Sequence, residues 1–349
     1  MAIPNESNDL LRMCELFSPK PVTGLLVLIA LGVAIVGAGA DAQDDPLAPG
    51  KPIGSTRLAI TVDDFPENGD LPFGVTRDQV ARDLIAALRN NGALDPYGFA
   101  NGGFLEWAPE EQSVLTLWLA ANHPLGNHTY NHPSLSKAGV KRFIESIEKE
   151  DKFLAAIDTS SESIRRRRIF RYPFLDEGDT PEKRIAVRNY LFKNHYQIAE
   201  VTTDYSDWVW NRAYNRCLAA QDDKSVAWPI GHVGDSADRH LRGANAISEY
   251  LLKRRIPQIL LIHINAFSAL TIGGILKRWK DQGVSFVPLS EALSDPVYKM
   301  NPNYAGVGLT FLEQIAEWRG LAVTRFEDST YTFKRLNSVC GPAPERGRQ

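Results

Sequence analysis

The chain has 349 residues, of which 44% are hydrophobic and 23% are charged, and its formal net charge is -3. This composition is ordinary for a globular protein, and the length allows one large α/β domain or two smaller ones. The charge gives no reason to expect nucleic acid as a partner, since nucleic acid usually binds to a basic face.

The first 42 residues have the pattern of a targeting segment. Residues 22–40 carry no charge, follow Arg12 and Lys20, and end in small residues. We therefore predict that residues 1–42 are a signal peptide and that the protein is exported to the periplasm or the extracellular space. The alternative is an uncleaved membrane anchor, since about 19 uncharged residues can just span a bilayer. Residues 43–56, which are polar and contain Pro and Gly, are predicted to be a linker.

From residue 57 onward, strand-like and helix-like segments alternate. The predicted strands are residues 57–62, 97–100, 124–126, 169–171, 197–202, 258–262 and 285–287. The predicted helices are residues 77–91, 109–121, 139–158, 181–194, 210–220, 244–255 and 272–282. This alternation implies parallel strands and right-handed crossovers, and the number of units suits a closed or nearly closed barrel over residues 57–300. Residues 301–349 are predicted to form a C-terminal cap or tail.

Short polar motifs follow five of the apolar, strand-like runs. They read Thr61-Val62-Asp63-Asp64, His128-Thr129-Tyr130-Asn131-His132, Arg171-Tyr172-Pro173-Phe174, Asp204-Tyr205-Ser206-Asp207-Trp208 and Leu261-Ile262-His263. In a barrel of parallel strands the chemistry lies at the C-terminal strand ends. We therefore expect the five motifs to form one site.

The first two motifs contain the side chains of a metal site. Neighbours on a strand face opposite sides, so Asp63 and Asp64 reach one cavity only if the chain turns there, as Pro66 would allow. One helical turn would place His128 and His132 on the same side. Two His and one carboxylate, with an open fourth position, are a catalytic zinc arrangement. The second carboxylate would then be free to act as a base.

The other motifs supply orienting and acidic groups. Arg171 is suited to hold a carboxylate base in place by a bidentate contact. Asp207 precedes a large apolar side chain, Trp208. His263 follows the most apolar strand of the chain, and Asp207 is suited to keep its imidazole protonated as a general acid.

In their order along the chain, the five motifs resemble those of the polysaccharide deacetylases. This family comprises metal-dependent carbohydrate esterases with a distorted (β/α)7 barrel, and the resemblance covers roughly residues 58–293. It implies that fold here, with strands running parallel. The third motif departs from the family pattern, because Phe174 stands where Tyr is common. Residues 264–267 also depart from it and leave the substrate subclass open.

The resemblance also implies a role for each site residue. Asp63 would be the catalytic base, and the ligands of a divalent metal, Zn2+, would be Asp64, His128 and His132. Arg171 would orient Asp63, and Asp207 would tune His263, the general acid. The backbone N–H of Phe174 would bind the oxyanion, while Trp208 and Leu261 would line the pocket for the acetyl methyl.

These features predict an exported hydrolase that removes acetyl groups from a glycan, with N-acetyl amino sugars preferred over O-acetyl groups. Two alternatives remain: a metal-dependent hydrolase of a small cyclic amide or imide, and an inactive barrel that binds glycan. The expected partner is an acetylated glycan, with no nucleic acid, and with a membrane only if the N-terminal segment stays uncleaved. Cys217 and Cys340 are the two cysteines that follow that segment, and the sequence leaves open whether they pair.

Overall fold

A curled sheet of parallel strands organises the chain. The structure is a computed structural model and describes residues 53–160, 166–321 and 328–341, all within a compact unit that begins at Asp45. The predicted signal segment, residues 1–42, lies outside the described residues, as do residues 43–52 of the predicted linker. Ile53 is buried in the core and Thr56 begins the first strand, so the last residues of that predicted linker pack on the sheet.

Eight strands are described. They are β1 (Thr56–Phe65), β2 (Tyr97–Ala100), β3 (Leu125–Asn127), β4 (Ile169–Phe170), β5 (Gln197–Ile198), β6 (Thr203–Asp204), β7 (Gln258–His263) and β8 (Val284–Phe286). Their order is β5-β4-β3-β2-β1-β7-β6, with β8 paired to the start of β1, and every pair is parallel. In the described part of the chain no pairing joins β5 to β6, so the barrel stays open at that seam. The predicted distorted (β/α)7 fold is confirmed.

Helices cover the outside of the sheet. They are α1 (Arg77–Asn90), α2 (Gln112–Ala120), α3 (Leu135–Ala138), α4 (Val140–Ile157), α5 (Pro181–Lys193), α6 (Asp207–Ala219), α7 (Asp223–Leu252), α8 (Ala266–Asp281), α9 (Leu289–Ala292), α10 (Phe311–Trp318) and α11 (Asp328–Ser338). Several begin at side-chain caps that the sequence encodes. Thr76 accepts a hydrogen bond from the Gln79 N–H, and Thr180 caps the helix that Pro181 opens.

The largest differences from the predicted elements lie between residues 197 and 255. Of the predicted strand over residues 197–202, only Gln197–Ile198 forms a strand, β5. A second short strand, β6, follows at Thr203–Asp204 on the other side of the seam. The predicted helix over residues 244–255 is the end of the 30-residue helix α7. Pro229 lies inside α7, and proline ordinarily interrupts a helix, which hid the first half of it.

The segment after residue 300 is part of the core. The Phe311 N–H donates a hydrogen bond of 2.7 Å to the carbonyl of Val201, which lies between β5 and β6. Phe311 and Ile315 of α10 are fully buried, and Phe311 stacks on Tyr298 with ring centroids 6.0 Å apart. Helix α10 therefore packs against the open seam of the barrel.

A disulfide joins Cys217 of α6 to Cys340, just after α11, across 123 residues of sequence.

None of the helices in the described part of the chain has the length and hydropathy that a membrane span requires.

We predict that Phe311→Ala lowers the free energy of unfolding by ~3–5 kcal/mol, because it opens a large cavity at the seam. Denaturant unfolding of the purified protein measures this. Phe192→Ala is the control, since Phe192 is 81% exposed and its loss should change stability by less than ~0.5 kcal/mol. Equal effects of the two substitutions would show that α10 does not unfold together with the barrel.

Candidate metal centre and catalytic site

The two carboxylates at the end of β1 reach one cavity because the backbone turns between them. Asp63 lies in register with His263 on the neighbouring strand β7. Asp64 has a φ of 66°, in the left-handed region, and the register between β1 and β2 shifts between Val62 and Phe65. As a result, Asp63 Oδ2 lies 3.7 Å from His128 Nε2 and Asp64 Oδ1 lies 3.4 Å from the same nitrogen.

Three side chains converge as metal donors. Asp64 Oδ1 is 3.4 Å from His128 Nε2 and 3.2 Å from His132 Nε2, and the donor atoms of the three residues lie within 4.8 Å of one another. Asp64 Oδ2 accepts a hydrogen bond of 2.8 Å from Asn68 Nδ2. No hydrogen-bond donor of the described residues reaches the buried Oδ1. A buried carboxylate oxygen left in this way is costly unless a cation compensates it, so the residues fit a divalent metal.

The tautomer of His128 supports the same conclusion. Its Nδ1 lies 2.9 Å from the backbone carbonyl oxygen of Arg171, which can only accept a hydrogen bond. Nδ1 must therefore carry a proton, which leaves Nε2 as the nitrogen that can bind a metal. Metal-binding histidines are commonly oriented by this kind of contact.

The predicted helical turn between His128 and His132 is wrong. Thr129 and His132 both have left-handed backbone conformations, with φ of 65° and 50°. The side chain of Asn101 donates hydrogen bonds to the carbonyls of His128 and Thr129, and Asn127 Oδ1 accepts one from the Thr129 N–H. These contacts fix a tight non-helical loop, which still brings the two imidazoles to 4.9 Å between ring centroids.

Arg171 holds Asp63 from inside the barrel. Its Nη1 lies 3.2 Å from each carboxylate oxygen of Asp63, so one nitrogen serves both oxygens. Nη2 donates to Thr61 Oγ1 at 3.0 Å and Nε donates to the carbonyl of Ala199 at 2.6 Å. Both charged groups are almost fully buried. Asp63 therefore has one fixed orientation beside the metal donors.

Asp207 holds His263 by two contacts. Asp207 Oδ1 lies 2.7 Å from His263 Nδ1, and Oδ2 accepts the backbone N–H of His263 at 2.9 Å. Burial lowers the pKa of the His263 imidazole, but the Asp207 carboxylate outweighs it, and the pKa is raised to about 10. Nε2 of His263 lies 3.9 Å from Asp64 Oδ2. A protonated imidazole thus faces the metal donors from the side opposite its partner Asp207.

The sequence interpretation missed three polar groups near this pair. Asn265 Nδ2 and Ser268 Oγ donate to Asp207 Oδ2 at 2.7 and 2.5 Å. The signal for Asn265 was present, because its side chain also caps α8 by accepting the Ser268 N–H. The sequence assigns Asp204, at the end of β6, no role beyond its place in a motif. Burial raises the pKa of its carboxyl to about 6, and its charge acts on His263 and Asp63.

The three residues predicted to bind substrate lie around the same strand ends. Phe174 is in a 3-10 turn with a φ of 58°, and its ring packs 4.4 Å from the ring of His132. Leu261 is in register with Thr61 on one side and Asp204 on the other. Trp208 follows Asp207 in the first turn of α6 and is half-buried. The structure therefore brings all ten predicted site residues to one end of the barrel.

Comparison with known proteins finds one family model that matches part of the chain. Residues 51–190 match the family model described as polysaccharide deacetylase. No curated protein sequence matches the chain.

Solved structures with a similar fold include a polysaccharide deacetylase from Bacillus cereus, at 17% identity, TM-score 0.46, and coverage of 67% of this chain and 91% of that one. A family 4 carbohydrate esterase from Streptomyces lividans, in complex with acetate, has 19% identity, TM-score 0.42, and coverage of 69% and 97%. A pseudoenzyme of that esterase family, from Bacillus anthracis, has 15% identity, TM-score 0.43, and coverage of 69% and 66%.

We predict that His128→Ala and His132→Ala each weaken binding of added Zn2+ by more than ~100-fold. The reason is that each removes one of three protein donors, and loss of a residue that only orients a metal ligand already costs ~10- to ~100-fold. Competition with a chromophoric chelator measures the affinity. His232→Ala is the control, since His232 is exposed and hydrogen-bonds the backbone carbonyl of Trp228 within α7. The Zn2+ affinity of this variant should equal that of the parent protein. Unchanged affinity in either ligand variant would exclude this metal site.

Proposed function

We propose that the chain is an exported, metal-dependent deacetylase of glycan N-acetyl groups. The match of residues 51–190 to the polysaccharide deacetylase family supports this proposal. One observation carries the proposal. A fixed carboxylate, Asp63, and a protonated imidazole, His263, lie 3.7 and 3.9 Å from atoms of a three-donor metal site.

Asp64, His128 and His132 would hold the metal, which we propose to be Zn2+. When bound, such a metal polarises the acetyl carbonyl and lowers the pKa of a water molecule to ~7. The protein orients the metal ligands by hydrogen bonds. The Nδ1–H of His128 is tied to the Arg171 carbonyl, and Asp64 Oδ2 to Asn68, so both ligands are set before substrate arrives.

Asp63 is the group that accepts the proton of the attacking water. Its carboxylate oxygens lie beside the donor atoms, and Arg171 compensates its charge and fixes its direction. Because the guanidinium is itself held by Thr61 and Ala199, the base does not need to reorganise during the reaction.

His263 is the group that gives a proton to the leaving atom. An amide releases an amine, which is a poor leaving group unless its nitrogen is protonated, whereas an ester releases an alcohol more easily. An imidazole that is kept protonated by Asp207 therefore suits N-acetyl groups. We propose that the backbone N–H of Phe174 donates to the oxyanion that forms between the two proton transfers.

The acetyl methyl would lie against Trp208 and Leu261, which offer a small apolar wall. Export is supported by the N-terminal pattern of residues 22–40 and by the Cys217–Cys340 disulfide, a bond typical of oxidising compartments. We propose a periplasmic or extracellular location, with membrane attachment only if the N-terminal segment is retained.

We expect the purified mature protein to release acetate from N-acetylglucosamine oligomers, to lose this activity after chelation, and to regain it with Zn2+. A coupled acetate assay measures release, with acetylated xylan and a cyclic imide tested beside the oligomers. Hydrolysis of the imide without acetate release would overturn the proposal in favour of an amidohydrolase. Binding of the oligomers by the metal-loaded protein without any release would make it an inactive glycan-binding barrel.

Substitution of the base and the acid should separate rate from metal occupancy. We expect Asp63→Asn and His263→Ala each to reduce turnover by ~10²–10⁴-fold while bound metal stays at the parent level. His263→Ala should affect N-acetyl substrates more than 4-nitrophenyl acetate, whose leaving group needs no proton. Metal content and acetate release are measured on the same preparations. A fully active Asp63→Asn, or a metal-depleted His263→Ala, would contradict these roles.

A further inference from the structure

Trp208 is supported from behind by the C-terminal helix. The ring of Phe333, on α11, lies 6.4 Å from the Trp208 ring between centroids, at an interplanar angle of 47°. The guanidinium of Arg212, one turn further along α6, lies 4.9 Å from the centroid of the same indole. The indole is therefore fixed by one contact within its own helix and one contact from outside it.

The outside contact depends on a helix that is fastened to α6. Cys340, just past the end of α11, is bonded to Cys217, which is fully buried in α6. Arg216 donates a side-chain hydrogen bond to the carbonyl of Leu336, and Leu336 and Val339 are buried in the core. These contacts hold α11 against the helix that carries Trp208.

The position of Trp208 makes this support relevant to the site. Trp208 directly follows Asp207, the residue that fixes the general acid His263, in the first turn of α6. The Trp208 side chain is half-buried, so part of the indole is exposed. In the proposed function this exposed part would form the wall for the acetyl methyl. Movement of the indole is limited by its contacts with Phe333 and Arg212.

We propose that Phe333, on the disulfide-fastened helix α11, is a positioning residue that fixes the Trp208 wall and so restricts the acyl group to acetyl. This rests on the proposed deacetylase function. If the wall is held rigid, one additional methylene on the acyl chain meets the indole and is rejected. If Phe333 is removed, the indole gains space to yield, and propionyl and butyryl groups enter.

The test compares N-acetyl, N-propionyl and N-butyryl glucosamine oligomers as substrates. For Phe333→Ala we expect the ratio of kcat/KM for propionyl to that for acetyl to rise at least ~5-fold. This is part of the ~10- to ~200-fold discrimination that one methylene can give in an apolar pocket. Phe333→Leu keeps part of the volume and should give a smaller rise. The double variant Cys217→Ser, Cys340→Ser removes the disulfide and should raise the ratio as well. The variant is preferred to chemical reduction, because a thiol reductant would compete for the metal.

Arg335→Ala is the matched control. Arg335 lies on the same helix but contacts Trp228, at 5.3 Å, and should leave the ratio unchanged. A loss of activity that is equal for all three acyl groups in Phe333→Ala would overturn the proposal, since that is what general destabilisation produces.

Hydrogen exchange of the metal-loaded protein gives a second readout that needs no turnover. We expect faster exchange at the start of α6 in Phe333→Ala than in Arg335→Ala. If the parent protein hydrolyses none of the substrates, the proposed function fails, and the exchange data still decide whether α11 supports Trp208. Equal hydrogen exchange at the start of α6 in the two variants would show that Phe333 does not fix Trp208.

Discussion

The buried pair of Arg171 and Asp63 is the interaction on which the site depends. Burying two charges is costly unless further hydrogen bonds satisfy them. Here Thr61 and Ala199 take the remaining guanidinium contacts. The same arginine also orients His128 through its backbone carbonyl. One residue thus fixes the base by its side chain and a metal donor by its main chain, and a shift of Arg171 would disturb both together.

Barrel topology explains why such distant residues meet. The first donors come from the end of β1 and the acid from the end of β7, and these strands are neighbours although almost 200 residues separate them in sequence. The sheet leaves a seam between β5 and β6, where α10 and its Phe311 supply the packing that a strand pair would otherwise give. Residues beyond 300 therefore complete the core that holds Arg171 and Ala199 in place.

The sequence predicted most of the strands and the ten motif residues that lie at one end of the barrel, because apolar runs followed by polar motifs mark strand ends. What it missed depends on three-dimensional context. A proline inside α7 hid half of that helix, and two-residue strands such as β6 are too short to show a period. The loop from His128 to His132 was mistaken for a helical turn because its shape is set by Asn101, which lies on another strand's loop. Asn265 and Ser268 were missed because their shared partner, Asp207, is about sixty positions earlier.

The left-handed backbone at Asp64, His132 and Phe174 limits how these positions can vary in evolution. Asp, Asn and His adopt this conformation more readily than most residues, so at positions 64 and 132 the residue types that bind metal are also ones that the backbone tolerates. Glycine would relax the backbone there but would remove a donor. At position 174 the proposed chemistry uses only the main chain, so glycine or asparagine would satisfy both demands. Two of these positions are thus constrained by side chain and backbone together, and the third by backbone alone.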